Sequence, residues 1–145
     1  MNRVEKEIVV NSPVGRVYEA WTDFENFPRF MQNVEQVSRD GKDMLYWKAS
    51  VGPLGDREWH AKIIDMTKDE KVVWRSTDGD YNAGAVLLYA ENGGTRVKVT
   101  FEYDPPAGPI GDIADKVFQI TPGSVEDDLK RFKEMVEASP VSRVD

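Results

Sequence analysis

From Val34 to Tyr103 the chain keeps one pattern, an apolar residue at every second position, broken only by short turns. Leu45, Trp47, Ala49 and Val51 alternate with Tyr46, Lys48 and Ser50. Trp59, Ala61 and Ile63 alternate with Glu58, His60 and Lys62, and Val72, Trp74 and Ser76 with Val73, Arg75 and Thr77. Val97, Val99, Phe101 and Tyr103 alternate with Arg96, Lys98, Thr100 and Glu102. Successive side chains of a strand point to opposite faces, so this period describes strands with one dry and one wet face. The breaks carry turn chemistry: Asp40-Gly41, Gly52-Pro-Leu-Gly55, Lys68-Asp-Glu-Lys71, Asp78–Asn82 and Asn92-Gly93-Gly94. Connections this short cannot make a parallel crossover. With Glu5–Val10 ahead of it, the run predicts an antiparallel sheet of about seven strands. Ala83–Ala90 is apolar on both faces, so its orientation stays open. The alternation turns His60 outward, but a register slip of one residue would turn it in.

A sheet with one dry face must cover it. The only element long enough is the segment from Gly111 to Ala138. Val125, Leu129, Phe132 and Val136 recur at helical spacing, with Thr121 as cap and Pro122 at the first helical position. Ile113, Val117 and Ile120 continue the stripe upstream, so a kinked helix or two abutting ones are expected. Between the first strand and the meander, Ser12-Pro13 repeats the cap-plus-proline signature ahead of Val14, Val17, Tyr18 and Trp21, a one-faced helix. Asp23–Asn33 is short, aromatic and broken by Pro28, and reads as a second brief helix over an apolar surface.

The chain of 145 residues suits one domain, residues 1–145, with no internal repeat or linker. A net charge of −7 argues against generic nucleic-acid or anionic-membrane binding. There is no cysteine, so no disulfide framework and no thiol chemistry. No apolar run is long enough to span a membrane, and Met1–Glu7 lacks the apolar core of a signal peptide, so a cytoplasmic protein is expected. With one histidine and no cysteine the usual zinc sets cannot form, and Asp78/Asp80 reads as a turn. No metal or cofactor is implied. Hydrolase, kinase and dinucleotide motifs are absent. Asp127/Asp128 falls on the polar side of the last helix and reads as solvated.

Several stretches carry a resemblance: Ile8-Val-Val-Asn-Ser-Pro13, Val17-Tyr-Glu-Ala-Trp-Thr-Asp-Phe-Glu-Asn-Phe-Pro-Arg-Phe-Met31, Gly79–Gly84, Asn92-Gly-Gly-Thr95 and Asp128-Leu-Lys-Arg-Phe-Lys133. With the order of elements, they make the chain resemble the START-like (SRPBCC, birch-pollen-allergen-like) helix-grip superfamily. Within it, the chain looks most like the polyketide cyclase/dehydrase and coenzyme-Q-binding-protein-like branch. The resemblance implies an α+β fold, a curved antiparallel sheet gripping a long C-terminal helix, with an elongated apolar cavity between them. It makes Asp23–Met31, with Phe27, Phe30 and Met31, part of the entrance. The dry faces read from the sequence would line that cavity with Trp47, Trp59, Ala61, Ile63, Trp74, Ser76, Val99, Phe101, Ile113 and Val117.

Trp47, Trp59 and Trp74 on three separate strands are either core fillers or the walls of a flat pocket for a ring-bearing or isoprenoid ligand, and the sequence leaves both readings open. Buried indoles need partners for their N–H groups, one of which Ser76 can supply. Aromatase/cyclases of this fold carry an interior Ser and Arg after the tryptophan of the fourth strand, where this chain has Ala61 and Ile63. They also carry a Tyr after the entrance helix, where it has Val34. Whether the chain is an enzyme is therefore left open. Three functions are expected in order: binding or transport of a hydrophobic small molecule; a cyclase/dehydrase-type activity, with Ser76 and Tyr103 as the inner polar candidates; and a protein-partner module. His60 reads as a solvated strand residue, and Asp104-Pro105-Pro106 with Gly108-Pro109 as a junction that could gate entry. The sequence says nothing of the oligomeric state.

Overall fold

The structure, a computed structural model, describes residues 2–50, 56–79, 81–103 and 122–138. The Gly52–Gly55 turn, Asp80, the Asp104–Pro109 junction, the stripe Ile113–Ile120 with its expected kink and the Thr121 cap lie outside the described residues.

The alternating run forms β2 (Val34–Arg39), β3 (Met44–Ser50), β4 (Asp56–Thr67), β5 (Lys71–Ser76), β6 (Asn82–Glu91) and β7 (Gly94–Tyr103), preceded by β1 (Asn2–Val10). They make one antiparallel sheet of seven strands in the order β1-β7-β6-β5-β4-β3-β2, curled as a half-barrel against the C-terminal helix. From β2 to β7 consecutive strands pair, as short turns require, and β1 pairs with β7, with Ile8 opposite Val97 and Val10 opposite Thr95. The last hairpin has the tight turn that its sequence encodes, with Asn92 at φ 49° and Gly93 at φ 82°. In β6, Gly84, Val86 and Leu88 are buried, which fixes the strand's inner face. One extra residue bulges β4 between Ile63 and Asp65 and leaves Ile64 exposed.

Helix α1 (Val14–Thr22) buries Val17 and Trp21. Ser12 does not cap it. Pro13 holds the N-cap position with extended backbone and no side-chain bond, and its carbonyl accepts from Arg16 and Val17. Ser12 is instead buried, and its own carbonyl accepts from Thr95 Oγ1 at 2.9 Å. The capping position was given to a tether between the helix entry and β7. The expected second helix is a 3-10 turn, Phe24–Arg29, with Pro28 inside it and Phe24 and Phe27 buried.

The C-terminal helix α2 (Pro122–Ala138) buries Val125, Leu129, Phe132 and Val136, the stripe read from the sequence. Burial of each contributes about 1.5–3 kcal/mol, and this decides the matter because an isolated helix of this length is marginal in water. Polar anchors set its position along β1. Lys133 Nζ donates to the Val9 carbonyl at 2.9 Å, and the Glu137 carboxylate accepts from the Asn11 N–H at 2.7 Å. Lys133, then that N–H, hold Glu137 below its usual range.

Candidate functional site

Three adjacent strands place their tryptophans on the inner face. Trp47 and Trp59 are direct cross-strand partners, their rings parallel within 7° and 5.8 Å apart. Trp74 also stacks on Trp47, at 5.9 Å and 25°, and Phe101 of β7 meets Trp74 edge-on at 6.2 Å. Small residues make the room. Trp74 lies opposite Gly84, where a Cβ would fall 2.4 Å from the indole ring. Ala61, fully buried, holds the β4 position between Trp59 and Ile63. The result is a row of flat rings. Trp47 and Trp74 are buried, while Trp59 and Phe101 remain partly exposed at its ends.

A second aromatic group closes the neighbouring space. Trp21 stacks on Phe132 at 4.5 Å, Phe30 meets both, and Phe24 packs on Phe27. All five rings are at most 1% exposed. Phe27 joins the two groups, lying 5.8 Å from Trp21, 5.6 Å from Trp47 and 6.4 Å from Trp74. The 3-10 turn that carries it is tied to α2. Arg131 Nε donates to the Phe30 carbonyl at 3.0 Å, and Asp128 accepts from the Gln32 N–H at 3.4 Å and pairs with Arg131. Asp128 is thus not merely solvated, as the sequence suggested. Burial pushes its carboxyl above the ordinary aspartate range, against the opposing pull of the Gln32 N–H and Arg131.

The remaining candidates fall as follows. Ala61, Ile63 and Val99 are buried on the inner face, Phe30 and Met31 in the closed group, and Ile113 and Val117 lie outside the described residues. Ser76 sits opposite Ala61, and its Oγ accepts from the Asn82 N–H at 3.0 Å, which fixes the loop between β5 and β6. Tyr103 is buried at the end of β7, opposite Asn82. His60 points outward. Its Nδ1 lies 2.8 Å from Asp78 Oδ2 and its Nε2 3.3 Å from Asp40 Oδ2. Asp78 also accepts from the His60 N–H at 2.6 Å, and that bond, then the ring, hold its carboxyl below the usual range. The loop acid is a strand clamp rather than a plain turn residue. Sequence reasoning missed Gly84, although a glycine inside a strand signals close approach. It also missed the ties from Arg131 to Phe30 and from Asp128 to Gln32, for which spacing offers no signal.

No helix among the described residues is long and apolar enough to cross a membrane. An uncharacterized 17.2 kDa protein of Streptomyces lincolnensis, from the melC2-rnhH intergenic region, is 31% identical over 141 residues, 94% of this chain and 91% of that one. The crystal structure of DR_A0006 from Deinococcus radiodurans is similar at a TM-score of 0.78 and 26% identity, covering 94% of this chain and 98% of the other. The Zhui aromatase/cyclase of Streptomyces sp. R1128 has the same fold at a TM-score of 0.77, with 13% identity over 94% of this chain and 93% of its own. Residues 10–130 match the family described as polyketide cyclase / dehydrase and lipid transport. That span takes in strands β2 to β7, the tryptophan row and the Asp128 end of the gripping helix, and the chain belongs to this family.

Proposed function

We propose that the protein binds a hydrophobic, ring-bearing small molecule, such as an isoprenoid quinone, an aromatic polyketide or a lipid of similar shape. The ligand lies between the sheet and the C-terminal helix, against the row of Trp47, Trp59, Trp74 and Phe101. The observation that carries this reading is the stacking of Trp59 and Trp74 on Trp47, made possible by Gly84, with Trp59 and the Phe101 ring beside Trp74 only partly buried. A core filler gains nothing from an exposed end ring. A binding wall needs one, because the ligand completes its burial. Removing ~200 Å² of apolar ligand surface from water contributes about 5 kcal/mol. Phe27 forms the wall's inner stop, and the Arg131–Asp128 tie holds that stop in place.

Carriage fits this wall better than catalysis. A cyclase must enolise and steer a ketone with interior acid–base groups. Ala61 and Ile63 present none, and the Ser76 hydroxyl is engaged with the Asn82 N–H. The test is native mass spectrometry of the freshly purified protein, followed by solvent extraction. A stoichiometric added mass of low polarity is expected. A clean mass, together with tryptophan fluorescence unmoved by quinones, fatty acids and polyphenols, would mean that the row is core.

A further inference from the structure

We infer that Trp47 is the polar anchor of this wall, its indole N–H donating a hydrogen bond to a neutral acceptor oxygen, such as a ketone or quinone carbonyl, on the ligand's ring. The inference rests on the binding reading above and sharpens it into a specificity.

Trp47 is 4% exposed, and its Nε1 has no hydrogen-bond partner among the described residues. A buried donor left unmatched is costly, so folded proteins rarely keep one without a use. Nor can this ring turn to find an acceptor. Trp59 holds it at 5.8 Å, Trp74 at 5.9 Å and Phe27 at 5.6 Å. The donor is therefore fixed before any ligand arrives, and an acceptor that meets it loses little entropy in ordering the site.

The surroundings choose the kind of acceptor. On the inner face of β3, β4 and β5, Leu45, Ala49, Ala61, Ile63 and Val72 are buried and uncharged, with the partly buried Ser76 opposite Ala61 and the partly buried Arg57 opposite Ala49. A carboxylate or phosphate held among these rings, at the Trp47 N–H, would be desolvated there. A carbonyl loses far less. Trp21 supplies the internal contrast. Its Nε1 is also unmatched among the described residues, but it sits inside the closed group under Phe132 and Phe30.

The test uses two probes of nearly equal shape, 2-acetylnaphthalene and 2-isopropylnaphthalene, titrated by calorimetry into the full-length protein and into Trp47→Phe, which keeps a ring and removes the donor. Both probes are expected to bind the native protein. In Trp47→Phe the ratio of ketone to hydrocarbon affinity should fall about tenfold, the scale of one buried hydrogen bond. In the native protein's ¹⁵N-correlated spectrum the ketone should move the Trp47 indole proton downfield and the hydrocarbon should not. This second reading holds even where the variant fails to fold. If both probes bind, with the same ratio in both proteins or with equal indole shifts, the anchor is overturned and the binding site stands. If neither probe binds, both readings fall.

Discussion

Trp21 and Trp47 lie in one hydrophobic core, each with an indole N–H unmatched among the described residues, yet they sit in different company. Around Trp21 the rings meet edge to face or stack closely, every one is sealed, and the contacts run between helices: α1, the 3-10 turn and α2. Around Trp47 the tryptophans are parallel, they come from neighbouring strands, and the row ends in rings that water still reaches. Edge-to-face packing from several directions fills volume, as a core requires. The row leaves Trp59 and Phe101 partly open, to be covered by something else. The same residue type thus holds the grip on one side and offers a surface on the other.

If that division is right, substitutions in the two regions should fail differently. The largest effect is expected from Phe132→Ala, which empties the centre of the closed group and should cost about 3–5 kcal/mol in urea denaturation. A cost below about 1 kcal/mol would mean that this group is not the clamp. Next comes Gly84→Ala. Its new methyl would meet the Trp74 ring at 2.4 Å, so a loss of about 1–3 kcal/mol and an altered near-ultraviolet circular dichroism signal are expected. A silent substitution would show that the indole does not rest there.

Trp59→Ala should cost less stability than Phe132→Ala, because that ring is only partly buried, yet weaken binding of a flat ligand at least tenfold. Equal losses in both properties would erase the distinction between wall and core. The smallest effect belongs to Asp128→Asn, which keeps an acceptor for the Gln32 N–H. The folded carboxyl titrates above the unfolded one, so the folded state holds the extra proton in that window. Its contribution to stability is full below the unfolded value and is lost as pH rises through the raised folded value. Wild type should therefore lose ground to the variant as pH rises across the carboxylate range. A difference that is flat with pH would remove the burial assigned to Asp128.

The alternation of the middle run carried most of the fold. It placed Trp47, Trp59 and Trp74 on one face and His60 on the other, because a period of two is a local property of the chain. It could not orient β6, where Ala83, Gly84, Ala85, Val86, Leu87 and Leu88 give no contrast. There the pairing with Trp74 and Phe101 decided the face. Ser12 looked like a cap because capping is read from neighbours in sequence, whereas its partner, Thr95, lies 83 residues away. The tie from Arg131 to Phe30 spans 101 residues and is invisible for the same reason. That the tryptophans stack was beyond the sequence as well. It depends on Gly84 and Ala61 on the flanking strands, and no periodicity along one strand reports what the next strand leaves empty.

The most direct test follows the chain's four tryptophans at once, through their indole signals in a ¹⁵N-correlated spectrum, as 2-acetylnaphthalene is added. The signals of Trp47, Trp59 and Trp74 should move together and saturate, while Trp21 stays still. Movement of Trp21 with the others, or no movement in the row while the ligand binds elsewhere, would contradict that expectation.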